Sequence, residues 1–588
     1  MMLNRYYRDE LDFLKRQGRE FAEGNPGLSR FLAEQSTDPD VERLLEGFAF
    51  LSGRLREKVD DEFPELTHSL IGMLWPNYLR PVPSMTVVQF TPHWHGLSGA
   101  QTVPRGTSLA SREVEGTACT FRTCHELTLY PLAHDGVTAR HSREASVVEL
   151  DLAVHSDQPL DGLGVTDLRL HLGGSGYTAR TLYLWLSHYL AGLELEVDGQ
   201  RMALPTRLLA PVGFAAADAL LPYPRNVYQG YRILQEYLCF PEAFQFFDLQ
   251  GLGDHLPSRP AERVTLRFTF TRTLPADARV GDENLALYCT PAINLFAHDA
   301  DPVDLSGERS AYRIRPSSRF PAHYEVFSVD EVTGWLESEA GRIRGEPRRY
   351  VPFESFEHQI ERDRGRQALY YRVRVRDSLR GDGFDHDIAF VRGDEQACLG
   401  LRETISLRLT CSNRELPERL TIGDVCLPTE DSPAFAGFRN ITRPTPAMRP
   451  TLDGSLLWTL ISNLSLNYLS LLDRDALRSV LRVYDFRALV DRQAERIAQQ
   501  RLAGIVDIQT QPVDRLYRGL PVRGLRSEMT LDQEAFGDEG SLFLFASVLS
   551  RFFSLYASIN SFHELHVTNL HNRERYAWTL QSGQQPLM

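Results

Sequence analysis

The feature that most constrains the fold is a change of hydrophobic period along the chain. Between residue 84 and about residue 435, apolar side chains recur at every second position; on either side of that stretch they recur every three or four. A period of two belongs to strands with one buried face, and a period near 3.6 to amphipathic helices. In "RVTLRFTFTR", Val264, Leu266, Phe268 and Phe270 alternate with Arg and Thr, and Ile405, Leu407 and Leu409 alternate in "ISLRLTC". "LELEVDGQRMAL" alternates on both sides of Asp198-Gly199, a residue pair that tight hairpin turns favour. The centre of the chain is therefore expected to be mostly antiparallel sheet with one wet face. The helical pattern "ARTLYLWLSHYL" interrupts it once.

The ends read differently. In "NRYYRDELDFLKRQGREFA", Tyr7, Leu11, Leu14 and Phe21 share one helical face, and Asn25-Pro26-Gly27 ends it. In "DPDVERLLEGFAFL", Asp38 is placed to cap, Pro39 suits the first helical position, and Asp40 and Glu42 complement the positive end of the helix. Val41, Leu44, Leu45, Phe48, Leu51 and Leu55 then form a stripe wider than a lone surface helix needs. Prolines 76, 81 and 83 close this helical region.

After the three prolines of "NITRPTPAMRP", which reads as an extended linker, helices return. Trp458, Leu460, Leu464, Leu466, Tyr468 and Leu471 are expected in a C-terminal core. In "SLFLFASVLSRFFSLYASI", Phe545, Leu549, Phe552, Tyr556 and Ile559 fall on one face, and Ser547, Ser550, Ser554 and Ser558 on another. The Ser face suits either close helix approach or solvent. The expected fold class is α+β: a helical region over 1–83, β-rich domains over 84–320 and 321–438, a linker over 439–452, and a helix-rich, mixed domain over 453–588.

Composition narrows the function classes. A formal net charge of −14 argues against non-specific nucleic-acid binding, which needs clustered positive charge. The seven cysteines are scattered and odd in number, which fits a reducing cytoplasm better than a disulfide framework. "MMLNRYYRDELDFLKRQ" has no apolar run of the kind a signal peptide needs. Arg551 and the interspersed serines count against a membrane span at 541–559, since a bilayer core needs about 20 predominantly apolar residues. No metal or cofactor is expected.

The chemical motifs fail on spacing. There is no G-x-x-x-x-G-K-[ST] loop and no strand-following G-x-G-x-x-G. "GGSGY" at 173–177 lacks the glycines two places either side of Ser175 that a nucleophile elbow requires. His563 and His566 in "HELHV" stand three apart, whereas helical zinc pairs stand four apart. "GDGFDHD" offers Asp382, Asp385, His386 and Asp387 without calcium-loop spacing, so a solvated turn is the simpler account. Arg372, Arg374 and Arg376 share one strand face and are expected to be balanced by acids on the neighbouring strand. Two other classes remain open: a hydrolase using Asp60, Asp61, Glu62 and Glu65, and a carbohydrate-binding sandwich with an aromatic platform at Trp94 or Trp185.

Several longer segments carry a resemblance. "DPDVERLLEGFAFL", "DEFPEL", "PNYLRPVPS", "NITRPTPAMRP", "LLWTLISNLSLNYLSLL" and "LSRFFSLYASINSFHEL" occur in the order found in the TssF family, also called VasA or ImpG, a baseplate subunit of the bacterial type VI secretion system. One departure is Gln581 before Ser582-Gly583, where the family's pattern has a basic residue. The resemblance implies an elongated multidomain scaffold with no enzymatic activity. It implies a cytoplasmic wedge assembled from TssG and a second TssF copy, ringing the VgrG hub. TssK would link it to the membrane complex, and TssE to the contractile sheath. The N-terminal stripe from Val41 to Leu55 and the stripe Phe545, Leu549, Phe552 and Tyr556 are then expected to face partner chains.

Overall fold

The computed structural model describes residues 75–223, 231–305, 309–336, 347–353, 369–378, 383–392, 403–450, 473–517, 520–558, 561–578 and 580–583, and before residue 75 a few short stretches including the helical 43–52. Val41, Leu55, the carboxylates Asp60, Asp61, Glu62 and Glu65, Asp382, and the set from Trp458 to Leu471 lie outside the described residues.

Alternation becomes sheet as expected. Six strands lie in the order Val425–Leu427, Ser108–Val114, Thr117–Thr123, Cys289–Ile293, Met85–Pro92 and Ala436–Asn440, every neighbouring pair antiparallel. Its two edges meet through the buried Asn440. The Asn440 Oδ1 accepts the N–H groups of Gly423 and Val425 at 3.0 and 2.9 Å, and its Nδ2 donates to the carbonyls of Thr421 and Thr442 at 3.0 and 2.8 Å. Four bonds use up the whole capacity of the amide.

The stretch read as a linker stays on this sheet. The N–H groups of Ile441 and Thr445 donate to the carbonyls of Val87 and Met85, and Met448 bridges to Val82. Prolines remove three donors from the segment, but the intervening residues keep theirs, and an extended chain beside a strand satisfies them there. Over 441–448 the linker expected at 439–452 is thus corrected to a docked segment, and residues 451–452 lie outside the described residues.

A five-stranded sheet, ordered Gln200–Leu204, Leu190–Val197, Arg263–Phe270, Ser146–Val154 and Leu132–His141, follows the alternation closely. Val264, Leu266 and Phe268 stand opposite Val197, Leu195 and Leu193. Asp198 and Gly199 both take positive φ, 50° and 78°, which is what their two-residue hairpin turn demands. The helix Gly176–His188 leads into this hairpin; its start is capped by Ser175, whose Oγ accepts the Thr178 N–H at 3.2 Å. That cap is the structural use of "GGSGY".

Strands between Phe296 and Ser412 enclose a second, separate apolar core that includes Val326, Tyr350, Ile388, Ile405 and Leu407. The chain leaves the six-stranded sheet after Ile293 and returns to it at Val425. The break expected near 320 therefore falls near 295. Periodicity identifies a strand but not the sheet it joins, so it runs across the crossing without a mark.

The C-terminal part is mixed. The helices Arg474–Tyr484, Phe486–Val490, Arg492–Ala503 and Glu539–Tyr556 accompany a sheet ordered Ile505–Tyr517, Leu520–Leu531, Phe562–Asn569 and Arg575–Ala577. Its apolar residues Leu477, Phe552 and Leu565 belong to the same continuous core as Val87 and Leu150. Asp538 ties the parts together: its Oδ1 accepts the Ser541 N–H at 2.6 Å, capping the long helix, while Arg180 donates to its Oδ2 at 3.1 and 2.8 Å. At the contact, Gly540 is required, because a Cβ there would stand 2.3 Å from the Arg180 carbonyl oxygen.

Candidate partner-binding surfaces

The N-terminal stripe is exposed. Over 43–52 the helix turns Ala49 fully inward, while Leu44, Phe48 and Leu51 are 73%, 60% and 61% exposed. Their spacing of four and three puts them in one row, with Leu45 half-buried beside it and Phe50 exposed to one side. Burying one Leu or Phe side chain contributes about 1.5–3 kcal/mol, and the chain alone leaves that stabilisation unrealised at all three positions. Contiguous rows of large apolar side chains in water are uncommon on a lone chain.

The second stripe is internal, which corrects the expectation for it. Phe545, Leu549 and Phe552 are buried in this chain's own core, so they are not available to a partner. Phe545 packs 5.0 Å from Phe536, and Phe552 packs 5.5 Å from Tyr231. The side chain of Tyr556 lies outside the described residues. On the opposite face Ser547, Ser550 and Ser554 are buried as well, and Ser558 is half-buried. Ser547 Oγ donates to the Phe543 carbonyl at 2.9 Å and accepts from Trp578 Nε1 at 3.1 Å; Ser554 Oγ donates to the Arg551 carbonyl at 2.8 Å. Apart from its serines and the exposed Arg551, "FLFASVLSRFF" is apolar around the helix, and a helix apolar on nearly every side belongs inside.

Sequence reasoning missed one concavity. A cleft of about 120 Å³ is lined by Leu238, Leu481, Leu502 and Phe545 together with the charged Arg482, Arg501, Asp485 and Glu495. Asp485 caps a helix by accepting the Ala488 N–H at 3.1 Å, and burial pushes its carboxyl above the usual range. Both charge signs are present in equal measure, so the cleft favours neither a cationic nor an anionic ligand.

Other sequence candidates that lie among the described residues are engaged by the fold itself. His563 and His566 sit on the strand Phe562–Asn569, where residues three apart point to opposite faces. His563 is buried with Nε2 3.0 Å from Ser527 Oγ. Among the described residues no group of three or more His, Cys, Asp or Glu side chains is placed to hold a metal. Arg374 and Arg376 stand opposite Asp387 and Asp385 on the paired strand, as a balanced wet face requires. Trp185 is buried and donates to the Arg272 carbonyl at 3.1 Å, while Trp94 stacks on His155 at 4.6 Å. Neither forms an open aromatic platform.

Four histidines are held neutral, chiefly by burial: His125 and His386 titrate near about 4, His171 and His563 near about 3. At His125 the geometry agrees. Arg169 donates to Nδ1 at 3.2 Å, so Nε2 carries the hydrogen, bonded to the Asp218 carbonyl at 2.9 Å. The unfolded chain takes up protons near pH 6.5, before the folded chain does. The stabilisation from each neutral site is therefore complete above about pH 6.5 and is lost at up to about 1.4 kcal/mol per pH unit below it. A melting-temperature series from pH 7.5 to 5 is expected to fall steadily below pH 6.5. A flat profile would contradict the burial of these rings.

No helix among the described residues is long and apolar enough to cross a membrane. Residues 1–585 match the family model described as type VI secretion system, TssF. The type VI secretion system component TssF1 of Pseudomonas aeruginosa is 31% identical, with 99% of this chain and 98% of that protein aligned. A chain in the cryo-electron microscopy structure of the TssK-TssF-TssG baseplate subcomplex is 34% identical, covers 92% of this chain and 98% of its own length, and superposes with a TM-score of 0.77. A chain of the baseplate complex from the type VI secretion system is 29% identical over all of both chains, with a TM-score of 0.63. The match runs the length of the sequence, and the chain belongs to the TssF family of the type VI secretion system.

Proposed function

We propose that this chain is a structural, non-catalytic wedge component of the baseplate. It assembles with TssG, a second TssF copy, TssK and TssE around the VgrG hub, and the wedge sits in the cytoplasm, docked at the inner face of the cytoplasmic membrane through the membrane complex. Docking starts tube and sheath polymerisation, and a later rearrangement of the ring lets the sheath contract. The observation that carries this reading is the bare row Leu44, Phe48 and Leu51, an apolar helix face that the chain leaves in water. Val41 and Leu55 extend the same row in sequence, giving a seam spaced three, four, three and four, the pattern of helices that pack side by side. In this reading the row is covered by TssG or by the second TssF copy.

Co-expression with TssG followed by sizing of the purified complex tests it. The chain made alone is expected to self-associate or aggregate, and with TssG to elute as one complex of defined mass. A monodisperse lone chain that does not bind TssG would refute the reading.

A further inference from the structure

Asn294 and Asn413 stand where the chain crosses between the two apolar cores. Asn294 lies between Cys289–Ile293 of the six-stranded sheet and Phe296–Asp299 of the second core's sheet; Asn413 follows Glu403–Ser412 on the way back. Both are fully buried. They are bonded to each other twice: the Asn413 N–H donates to Asn294 Oδ1 at 2.7 Å, and Asn294 Nδ2 donates to Asn413 Oδ1 at 2.8 Å. Thr120, within the strand Thr117–Thr123, bonds to both. Its N–H donates to Asn413 Oδ1 at 3.0 Å, and its carbonyl accepts from Asn294 Nδ2 at 2.8 Å. The Asn294 N–H itself donates to the Ser84 carbonyl at 2.8 Å. The entering strand, the leaving strand and two strands' worth of the first core are thus held at one point.

Amides suit this task because each offers donors and an acceptor without a charge to desolvate. A second tie lies nearby. Buried Glu325, at the start of the strand Glu325–Leu336, accepts from Arg449 Nε at 2.7 Å, and Arg449 belongs to the segment docked beside Val82. Phe327 on that strand packs into the first core, with the Arg80 guanidinium 5.1 Å from its ring centre.

Domains within one chain move relative to each other unless their junction holds them. We infer that the described strands of the inserted β domain, between Phe296 and Ser412, form a rigid arm of the body, and that the Asn294–Asn413–Thr120 amide clasp is the main restraint on hinge motion between the two cores. An arm held this way transmits any reorientation of one core to whatever is bound at the other. The inference stands on the junction itself and is independent of which partners bind.

The test uses the full chain carrying Asn294→Ala with Asn413→Ala, and separately Asn294→Asp. The aspartate keeps the size of the side chain and an acceptor for the Asn413 N–H, but puts an oxygen where the donor stood. In both variants, amide hydrogen exchange at Thr120, Asn294 and Asn413 is expected to quicken at least about tenfold, while Leu150, Leu266, Leu407 and Leu409 keep their protection. Small-angle scattering is expected to need a spread of domain positions where the parent chain fits one. Unchanged exchange at the junction with unchanged scattering would overturn the clasp. Loss of protection throughout either core in both variants would make the asparagines ordinary core residues, and would overturn the rigid-arm inference too.

Discussion

Leu44→Asp is expected to leave the chain folded, to raise its solubility and to abolish co-purification with TssG. Leu44 is 73% exposed, so in the lone chain the new carboxylate meets water, and exposed substitutions of this kind usually change stability by no more than about 0.5 kcal/mol. In a packed helical seam the same carboxylate would be buried without a partner, at a cost of several kcal/mol. About 3 kcal/mol already weakens binding more than a hundredfold. Phe48→Asp is expected to behave alike, because Phe48 lies one turn further along the same row. Circular dichroism and a TssG pull-down separate the outcomes. A collapsed spectrum would place Leu44 in this chain's own core, and a native spectrum with TssG still bound would move the interface elsewhere.

The largest effect on the isolated chain is expected from Glu236→Ala. Glu236 and Arg232 lie one turn apart on the helix Arg232–Cys239, with 1% and 2% of their side chains exposed, and their ion pair measures 2.9 Å. Each also serves the loop before them. Glu236 Oε1 accepts the N–H groups of Leu220 and Leu221 at 2.9 and 3.3 Å, and Arg232 donates to the carbonyls of Phe214 and Ala215 at 3.2 and 3.0 Å. Burial pushes the Glu236 carboxyl up; Arg232 and the two amides pull it back towards the charged form. Removing Glu236 leaves a buried cation and two buried N–H groups unpaired, at an expected cost of about 3–5 kcal/mol in urea unfolding.

Exchanging both ions for apolar residues often restores stability at buried pairs. Here Arg232→Met with Glu236→Leu is expected to remain destabilised, because four loop backbone groups lose their partners together. A change below about 1 kcal/mol in the single variant would mean that water reaches this loop.

Much of this architecture was legible in the sequence. Alternation marked the strands, Asp198-Gly199 marked a hairpin, and ordered motifs at the two ends carried the family. Amphipathic patterning determined that the rows beginning at Leu44 and at Phe545 must each leave water. It did not determine what each would pack against, since the pattern records only that a face is apolar. Tertiary structure decided that. Glu539–Tyr556 is enclosed by its own chain on the Phe and Ser faces alike, whereas 43–52 turns in only Ala49 and leaves its row bare. The same holds for "NITRPTPAMRP": proline content determined an extended backbone, and only the open edge beside Met85–Pro92 decided that its donors would be used there rather than by solvent. The crossing at Asn294 and Asn413 left no local mark, because two residues 119 positions apart acquire a common role only when the sheets bring them within hydrogen-bond distance.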